Sequence, residues 1–344
     1  MNAVTGAVPL YFSTGIRVPL FSNLQTLGEM SMTERAAVRT DHYKAFGFRI
    51  ESDFVLPELP LAGEREPLDN ITVRRTDLQP LWNSSIHFYG NFAILDHGRT
   101  VMFRVPGAAI YAVQDASSIL VSPFDQAEEN WVRLFILGTC MGILLLQRKI
   151  MPLHGSAVAI DGKAYAIIGE SGAGKSTLAL HLMSEGYPLL SDDVIPVVMT
   201  RGSPWVVPSY PQQKLWVDTL KHMGMDNANY TPLYERNTKF AVPAGSNFHE
   251  KPLPLASIFE LVPWDAATHI APIQGMERFR VLFHHTYRNL LVQPLGLMEW
   301  HFKTLSSFIR QVGMYRLHRP MVGFSTLDLT SHILNIIRQG ENDQ

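Results

Sequence analysis

The sequence is short of cysteine, of net charge and of uninterrupted apolar length. Cys140 is the one cysteine among 344 residues, which excludes an intrachain disulfide and a cysteine-rich zinc site and suits a cytoplasmic location. Charged residues make up 17% and the formal net charge is -2, so no basic surface for nucleic acid is expected. The longest apolar stretch, 134–146, is broken by Gly138, Thr139 and Gly142 and falls short of the roughly 20 residues a bilayer requires. It reads as a buried helix, with no membrane partner. Residues 1–40 lack the basic start, apolar block and small-residue cleavage site of a secretion signal. They read as a poorly ordered extension, with Met30 or Met32 as an alternative start. There is no internal repeat and no low-complexity tract.

Hydrophobic residues account for 46% of the chain, enough for a real core, and the length favours one large domain with a smaller companion. Residues 41–127 read as a small, mainly antiparallel β domain, with extended stretches at 46–52, 70–74, 86–89, 92–95, 100–105 and 109–113 separated by Gly, Pro, Asp and Asn signals. Residues 128–340 read as a linker helix and a second domain. That helix, about 128–148, has Glu128 and Glu129 near its start and Arg148 and Lys149 at its end, as the helix dipole favours. Next come a strand (156–160), a turn at Asp161-Gly162, a strand (164–168), a Gly-rich loop, a helix (175–185) and a strand (187–190), the opening of an α/β nucleotide-binding core. After residue 203 the prolines 204, 208, 211, 232, 243, 252 and 254 suggest short strands and loops, and 276–288, 295–312 and 330–339 look helical.

Within that core, Gly169-Glu170-Ser171-Gly172-Ala173-Gly174-Lys175-Ser176 fits the Walker A phosphate-loop pattern G-x-x-x-x-G-K-[ST]. A chance match in a chain of this length has a probability on the order of 1%. The loop follows an apolar strand and opens a helix that begins with Thr177, the setting in which such a loop works. Glycines let the backbone turn its N–H groups inward around a polyphosphate, and the helix N-terminus adds favourable potential. Lys175 is placed to reach the β- and γ-phosphates of ATP, while Ser176 offers a hydroxyl to Mg²⁺. The loop indicates nucleotide binding; ATPases, GTPases, kinases and nucleotide-gated regulators all share it.

Ser191-Asp192-Asp193 follows the next apolar pair, so two carboxylates emerge at a strand end, where ligands of open α/β sheets bind. Neighbouring strand residues point to opposite sides, which would leave one carboxylate for a metal and one for an incoming hydroxyl. On spacing alone both could equally be turn or capping residues. His154 in His154-Gly155-Ser156 is, taken alone, a packing or surface histidine.

The run 153–158, the loop with Thr177, Leu178 and Ala179, then Gly186-Tyr187 and 190–193 together resemble the catalytic domain of bacterial HPr kinase/phosphorylase, with matching order and spacing. The resemblance is strong over about 150–200 and fades afterwards. It implies a phosphate-loop serine kinase in which His154 sits beside Asp192, Asp192 is the base toward the acceptor serine, and Asp193 joins Ser176 at the metal. The regions around Phe46-Gly-Phe and Leu56-Pro-Glu-Leu are unlike that enzyme's regulatory domain, and the loop tied to phosphorolysis is not found. The layout, including Lys239-Phe240 and 252–258, instead resembles HPr-kinase-related proteins that phosphorylate the C-terminal serine of lasso-peptide precursors. A peptide substrate, and a homo-oligomer as in HPr kinases, are what these resemblances imply.

Lys239, Arg236 and Arg288 are candidates for a second cation at the transferring phosphate, Lys239 first. His249, His284 and His285 lack a metal-ligand pattern. Trp205, Trp216, Tyr210 and Tyr234 are candidates for a peptide groove or for core. A nucleotide-gated binding or chaperone protein and a small-molecule kinase remain alternatives to a peptide kinase.

Overall fold

Alternating apolar and polar side chains through the N-terminal half build one eight-stranded sheet in the computed structural model, which describes residues 41–63, 66–88, 91–233, 238–321 and 325–342. The expected extension (1–40), Tyr234 and Arg236 lie outside the described residues. The strands are β1 (Asp41–Ala45), β2 (Phe48–Ser52), β3 (Asp69–Arg75), β4 (His87–Phe88), β5 (Phe92–Leu95), β6 (Thr100–Val105), β7 (Ala109–Gln114) and β8 (Ser118–Pro123). Their order is β1-β2-β3-β8-β7-β6-β5-β4. Pairing is antiparallel except at β2–β3 and β3–β8. Ile71, Val73, Val101, Tyr111, Val113, Ile119 and Val121 fill its inner face.

Onto that face packs a helical run made of α2 (Glu129–Phe135), a π turn over Ile136–Cys140 and α3 (Met141–Gln147). By length and composition this run of 19 residues could cross a membrane, but 67% of its apolar window is buried inside the fold. Its apolar residues share a core with Val194, Tyr210, Leu291 and Val292 from the C-terminal half. Gly142, just after the π turn, admits a neighbouring ring: a Cβ there would collide with Tyr287. Such irregular turns often mark functional positions.

The second half adds β9 (Met151–Ile160), β10 (Lys163–Ile168), β11 (Leu189–Thr200), β12 (Ser203–Val206), β13 (Gln212–Trp216), β14 (Thr231–Pro232), β15 (Lys239–Pro243), β16 (Leu253–Trp264), β17 (His269–Pro272) and β18 (Gly313–Pro320). Seven of them form a sheet ordered β10-β9-β11-β12-β16-β18-β17, and β16 also pairs with β10, so the sheet curls back on itself. β13, β15 and β14 make a small separate sheet. β10, β16 and β18 run parallel, and β11 shares their direction because β9 is antiparallel to both β10 and β11.

Side chains along β10 alternate between two cores. Ala164, Ala166 and Ile168 face the core closed by α6 (Met276–His284) and α7 (Met298–Gln311), while Tyr165 and Ile167 face the one closed by α4 (Lys175–Ser184) and α8 (Thr326–Asn342). The molecule is thus α/β, a mixed sheet flanked by helices with a mainly antiparallel N-terminal sheet. Burial on both faces explains why β10 reads as an unbroken apolar run.

Three strands depart from the sequence reading. β11, expected to end at residue 190, runs to Thr200, so Asp192 and Asp193 lie within a paired strand and not beyond its end. Proline-punctuated residues near 252 become β16, 12 residues long, because Pro254 falls near the start of the strand, where a missing donor is tolerated. β18 follows α7 directly and carries Arg316, His318 and Arg319 among apolar residues.

Candidate active site

The phosphate loop leaves β10 and enters α4 through Gly174, whose φ of 103° lies in the left-handed region. A side chain there would be strained, so glycine is required for the sharp entry into the helix. Ser171, Gly172, Gly174, Lys175, Ser176 and Thr177 line a cleft that is closed on its other side by His154, Asp192, Asp193, Lys214, Trp216 and Lys239. Gly169 and Glu170 face a neighbouring cavity instead, and Ala173 is buried in the core beside Leu178. The Glu170 carboxylate hydrogen-bonds His284, which, with Thr177 bonded to Thr219 at 2.8 Å, ties the loop to its surroundings.

Lys175 is 7% exposed, and its Nζ donates to the carbonyls of Gly169 and Glu170, each at 2.9 Å. Burial lowers its pKa from the ordinary value. The ammonium is therefore held at the loop by weak neutral acceptors that a phosphate oxygen can replace with a stronger, charge-assisted bond.

Strand register brings the other elements together. β9 lies between β10 and β11, with Asp192 opposite Ser156, Asp193 opposite Gly155 and Val194 opposite His154. Asp192, 3% exposed, accepts hydrogen bonds at Oδ1 from the hydroxyls of Ser156 (2.6 Å) and Ser176 (2.8 Å), and at Oδ2 from the backbone N–H of Lys214 (2.8 Å). Asp193 accepts from Lys214 Nζ at 2.6 Å and lies 3.6 Å from His154 Nδ1. Strict strand alternation would send the two carboxylates to opposite sides. Asp193 has φ 72°, which breaks the alternation, and both carboxylates line one cleft. A left-handed conformation costs a non-glycine residue roughly 1–2 kcal/mol, least for Asp and Asn.

Charge in this cluster is fixed by the buried pair. Burial alone would raise the Asp193 carboxyl, but Lys214, with His154 and Lys239, outweighs it and holds the group well below the usual carboxylate range. Burial likewise opposes the charge on Lys214, and Asp193 reverses that effect and raises its pKa. Burial lowers the pKa of His154. Its Nδ1 lies 3.0 Å from the Asp193 carbonyl, which can only accept, so this nitrogen carries the proton and Nε2 keeps the lone pair.

A second cavity, of about 320 Å³, adjoins the first. Leu134, Phe135, Gly138 and Thr139 of the helical run form one wall, and Leu233, Thr238, Tyr287 and Arg288 another; Asp193, Lys214, Trp216 and Lys239 line both cavities. Lys239 Nζ sits 5.5 Å from the centre of the Trp216 ring, within cation–π range. Arg288 donates to the Thr139 hydroxyl at 2.6 Å. Of the groove candidates, Trp216 lines these cavities, Tyr210 is buried in the core, and Trp205 pairs across β12 with Pro254.

Sequence reasoning missed Lys214, Thr139 and Tyr287. Lys214, on β13, is 5% exposed, and the carboxylate that pairs with its buried charge stands 21 residues away in the sequence. Among the described residues no group of three or more His, Cys, Asp or Glu side chains could hold a metal. Ser176 and Asp192 nevertheless place two oxygens side by side at the loop, a donor set that fits Mg²⁺, which takes one or two protein oxygens and fills the rest with phosphate and water.

No family model matches the chain. Curated proteins do match it in part. The relatives are HPr kinase/phosphorylases. That of Mycoplasmopsis pulmonis is 43% identical over 61 residues, 17% of this chain and 20% of the relative. That of Clostridium botulinum strain Eklund 17B is 35% identical over 94 residues, 26% of this chain and 30% of the relative. The HPr kinase/phosphorylase of Nitrosomonas europaea is 30% identical over 169 residues, 44% of this chain and 51% of the relative. The chain thus spans between a fifth and a half of these relatives' lengths. The solved Hpr(Ser) kinase/phosphatase structure from Coxiella burnetii superposes with a TM-score of 0.30 at 12% identity, over 55% of this chain and 98% of that one.

Proposed function

We propose that the protein is an ATP-dependent kinase that transfers the γ-phosphate to a serine hydroxyl of a peptide, with a ribosomal precursor peptide such as a lasso-peptide precursor as the substrate class. The observation that carries this reading is the shared boundary of the two cavities, where Asp193, Lys214 and Lys239 line both a phosphate-loop cleft and an apolar cavity beyond it. A nucleotide hydrolase needs the first cavity; a phosphotransferase needs an acceptor space opening onto the same carboxylate. The similarity to HPr kinase/phosphorylases supports a serine hydroxyl as acceptor, and the use of ATP suits a cytoplasmic protein.

In this reading the loop N–H groups and Lys175 bind the phosphates, with the Lys175 amine leaving the Gly169 and Glu170 carbonyls for phosphate oxygens. Ser176 and Asp192 would hold Mg²⁺, which when bound neutralises charge on the β- and γ-phosphate oxygens. Asp193 orients the acceptor hydroxyl by accepting its hydrogen bond. As the new O–P bond forms, the bond from the γ-phosphorus to the bridging oxygen breaks and ADP leaves, and the hydroxyl proton passes to Asp193, a weak base, only as that bond forms. This reverses the roles that the resemblance implies for the two aspartates, because Asp192 is the one bonded to Ser176. His154 fixes Asp193 through its main-chain carbonyl, and Lys239 neutralises charge between donor and acceptor.

Intact-mass measurement of a serine-ending precursor peptide, incubated with protein, ATP and Mg²⁺, tests the reading directly. The expected result is a gain of one phosphate. ATP binding with no phosphate gained by any such peptide would sink it and favour a nucleotide-gated binding protein.

A further inference from the structure

The side chains of the cleft carry little net positive charge for the ligand assigned to it. Three lysines face two aspartates there, leaving one positive charge, and His154 has its pKa lowered by burial and adds none at neutral pH. A nucleoside triphosphate carries about four negative charges, and one Mg²⁺ offsets only two of them. The loop N–H groups and the N-terminus of α4 add favourable potential, and a further cation at the edge where the parallel strands end would add to it.

β18 supplies one. β10, β16 and β18 are parallel neighbours, with Ile168 level with Glu260 and Glu260 level with Arg316. Arg319 is therefore at the carboxyl end of β18, at the same edge as the loop, where ligands of such sheets bind. Its Nε lies 3.9 Å from the point that a Cβ on Gly174 would occupy. That Nε is buried and has no hydrogen-bond partner among the described residues, and Nη1 reaches only the Pro320 carbonyl, at 3.4 Å. By contrast Arg316, three positions earlier on the strand, is spent on Glu260 and Glu277. Leaving a buried guanidinium N–H unpaired is costly, and an anion arriving at the N-terminus of α4 would satisfy it.

We infer that Arg319 is a nucleotide-binding residue that contacts the phosphate chain of the bound nucleoside triphosphate from the β18 side, beside Gly174. The inference rests on the nucleotide-binding part of the function proposed above and needs no acceptor, so the two can fail separately.

Titration of a fluorescent ATP analogue with Mg²⁺ into the full chain and into Arg319→Gln and Arg319→Lys variants tests it. Arg319→Gln should weaken binding at least about tenfold, as expected for loss of a charge-assisted contact, and should flatten the salt dependence of the affinity. Arg319→Lys should recover most of the loss. Affinity of Arg319→Gln within twofold of wild type, or equal loss in Arg319→Lys and Arg319→Gln, would overturn the assignment. Unchanged thermal unfolding of both variants, together with tenfold weaker binding, separates a ligand contact from a structural role; matched losses of stability and affinity would count against it. Failure to find phosphate transfer to any peptide leaves the binding result standing.

Discussion

The two cavities that meet at Asp193 are built in different ways. The phosphate-loop cleft is polar and closed on itself: Asp192 takes three hydrogen bonds, Lys175 caps two carbonyls, and nearly every group comes from 154–193 or β13. The neighbouring cavity is walled mainly by Leu134, Phe135, Gly138, Trp216, Leu233 and Tyr287, gathered from four separate stretches of chain. The phosphate-loop cleft is made by a compact motif, whereas the neighbouring cavity is made by tertiary packing around a π turn. Asp193 and Lys214 are the hinge between them, which is where mutation should separate the two.

The largest expected effect is at that hinge. Lys214→Met leaves the ionised Asp193 buried without its partner and should cost about 3–5 kcal/mol of stability in chemical denaturation. Adding Asp193→Asn should return much of that while leaving the protein inactive. A double variant no more stable than the single one would mean that the pair does not organise the boundary. Next, Lys175→Ala, confined to the cleft, should reduce transfer by roughly 10²–10³-fold with the affinity for the acceptor peptide unchanged.

The cavity can be loosened by acid. His301 supports the 286–288 segment through a 2.9 Å bond to the Thr286 hydroxyl, and burial lowers its pKa to about 4. Because the folded-state value is below the ordinary one, its contribution is complete above about pH 6.5 and is lost as pH falls toward 4. The loss should reach up to roughly 3 kcal/mol, seen as a pH slope in denaturation midpoints that His301→Gln flattens. The smallest effect is expected of Trp216→Ala, a weakening of acceptor binding by about tenfold, or 1–2 kcal/mol, read as KM for the peptide. It also lines the cleft, so a larger loss in nucleotide affinity than in peptide affinity would blur the division between the cavities.

Legibility in the sequence follows the same division. The loop, the following helix and the His-Gly-Ser and Asp-Asp elements could be read because each is a short contiguous pattern whose residue types are dictated by phosphate chemistry. β16 and β18 could not, because proline at a strand start and internally paired charges such as Glu260–Arg316 disguise a buried strand as a loop or a surface. Directions of neighbouring side chains were lost too, since one left-handed residue at Asp193 cancels the two-residue period. The second cavity has no sequence signature, because Thr139, Leu233 and Tyr287 meet only after folding.

The division of labour between the two aspartates is the centre of the account. It is tested most directly by measuring the Mg²⁺ dependence of ATP-analogue affinity in Asp192→Asn and Asp193→Asn. Asp193→Asn should keep the wild-type Mg²⁺ dependence while losing transfer, and Asp192→Asn should lose the Mg²⁺ dependence itself. The opposite pattern, with Mg²⁺ dependence lost in Asp193→Asn and kept in Asp192→Asn, would contradict it.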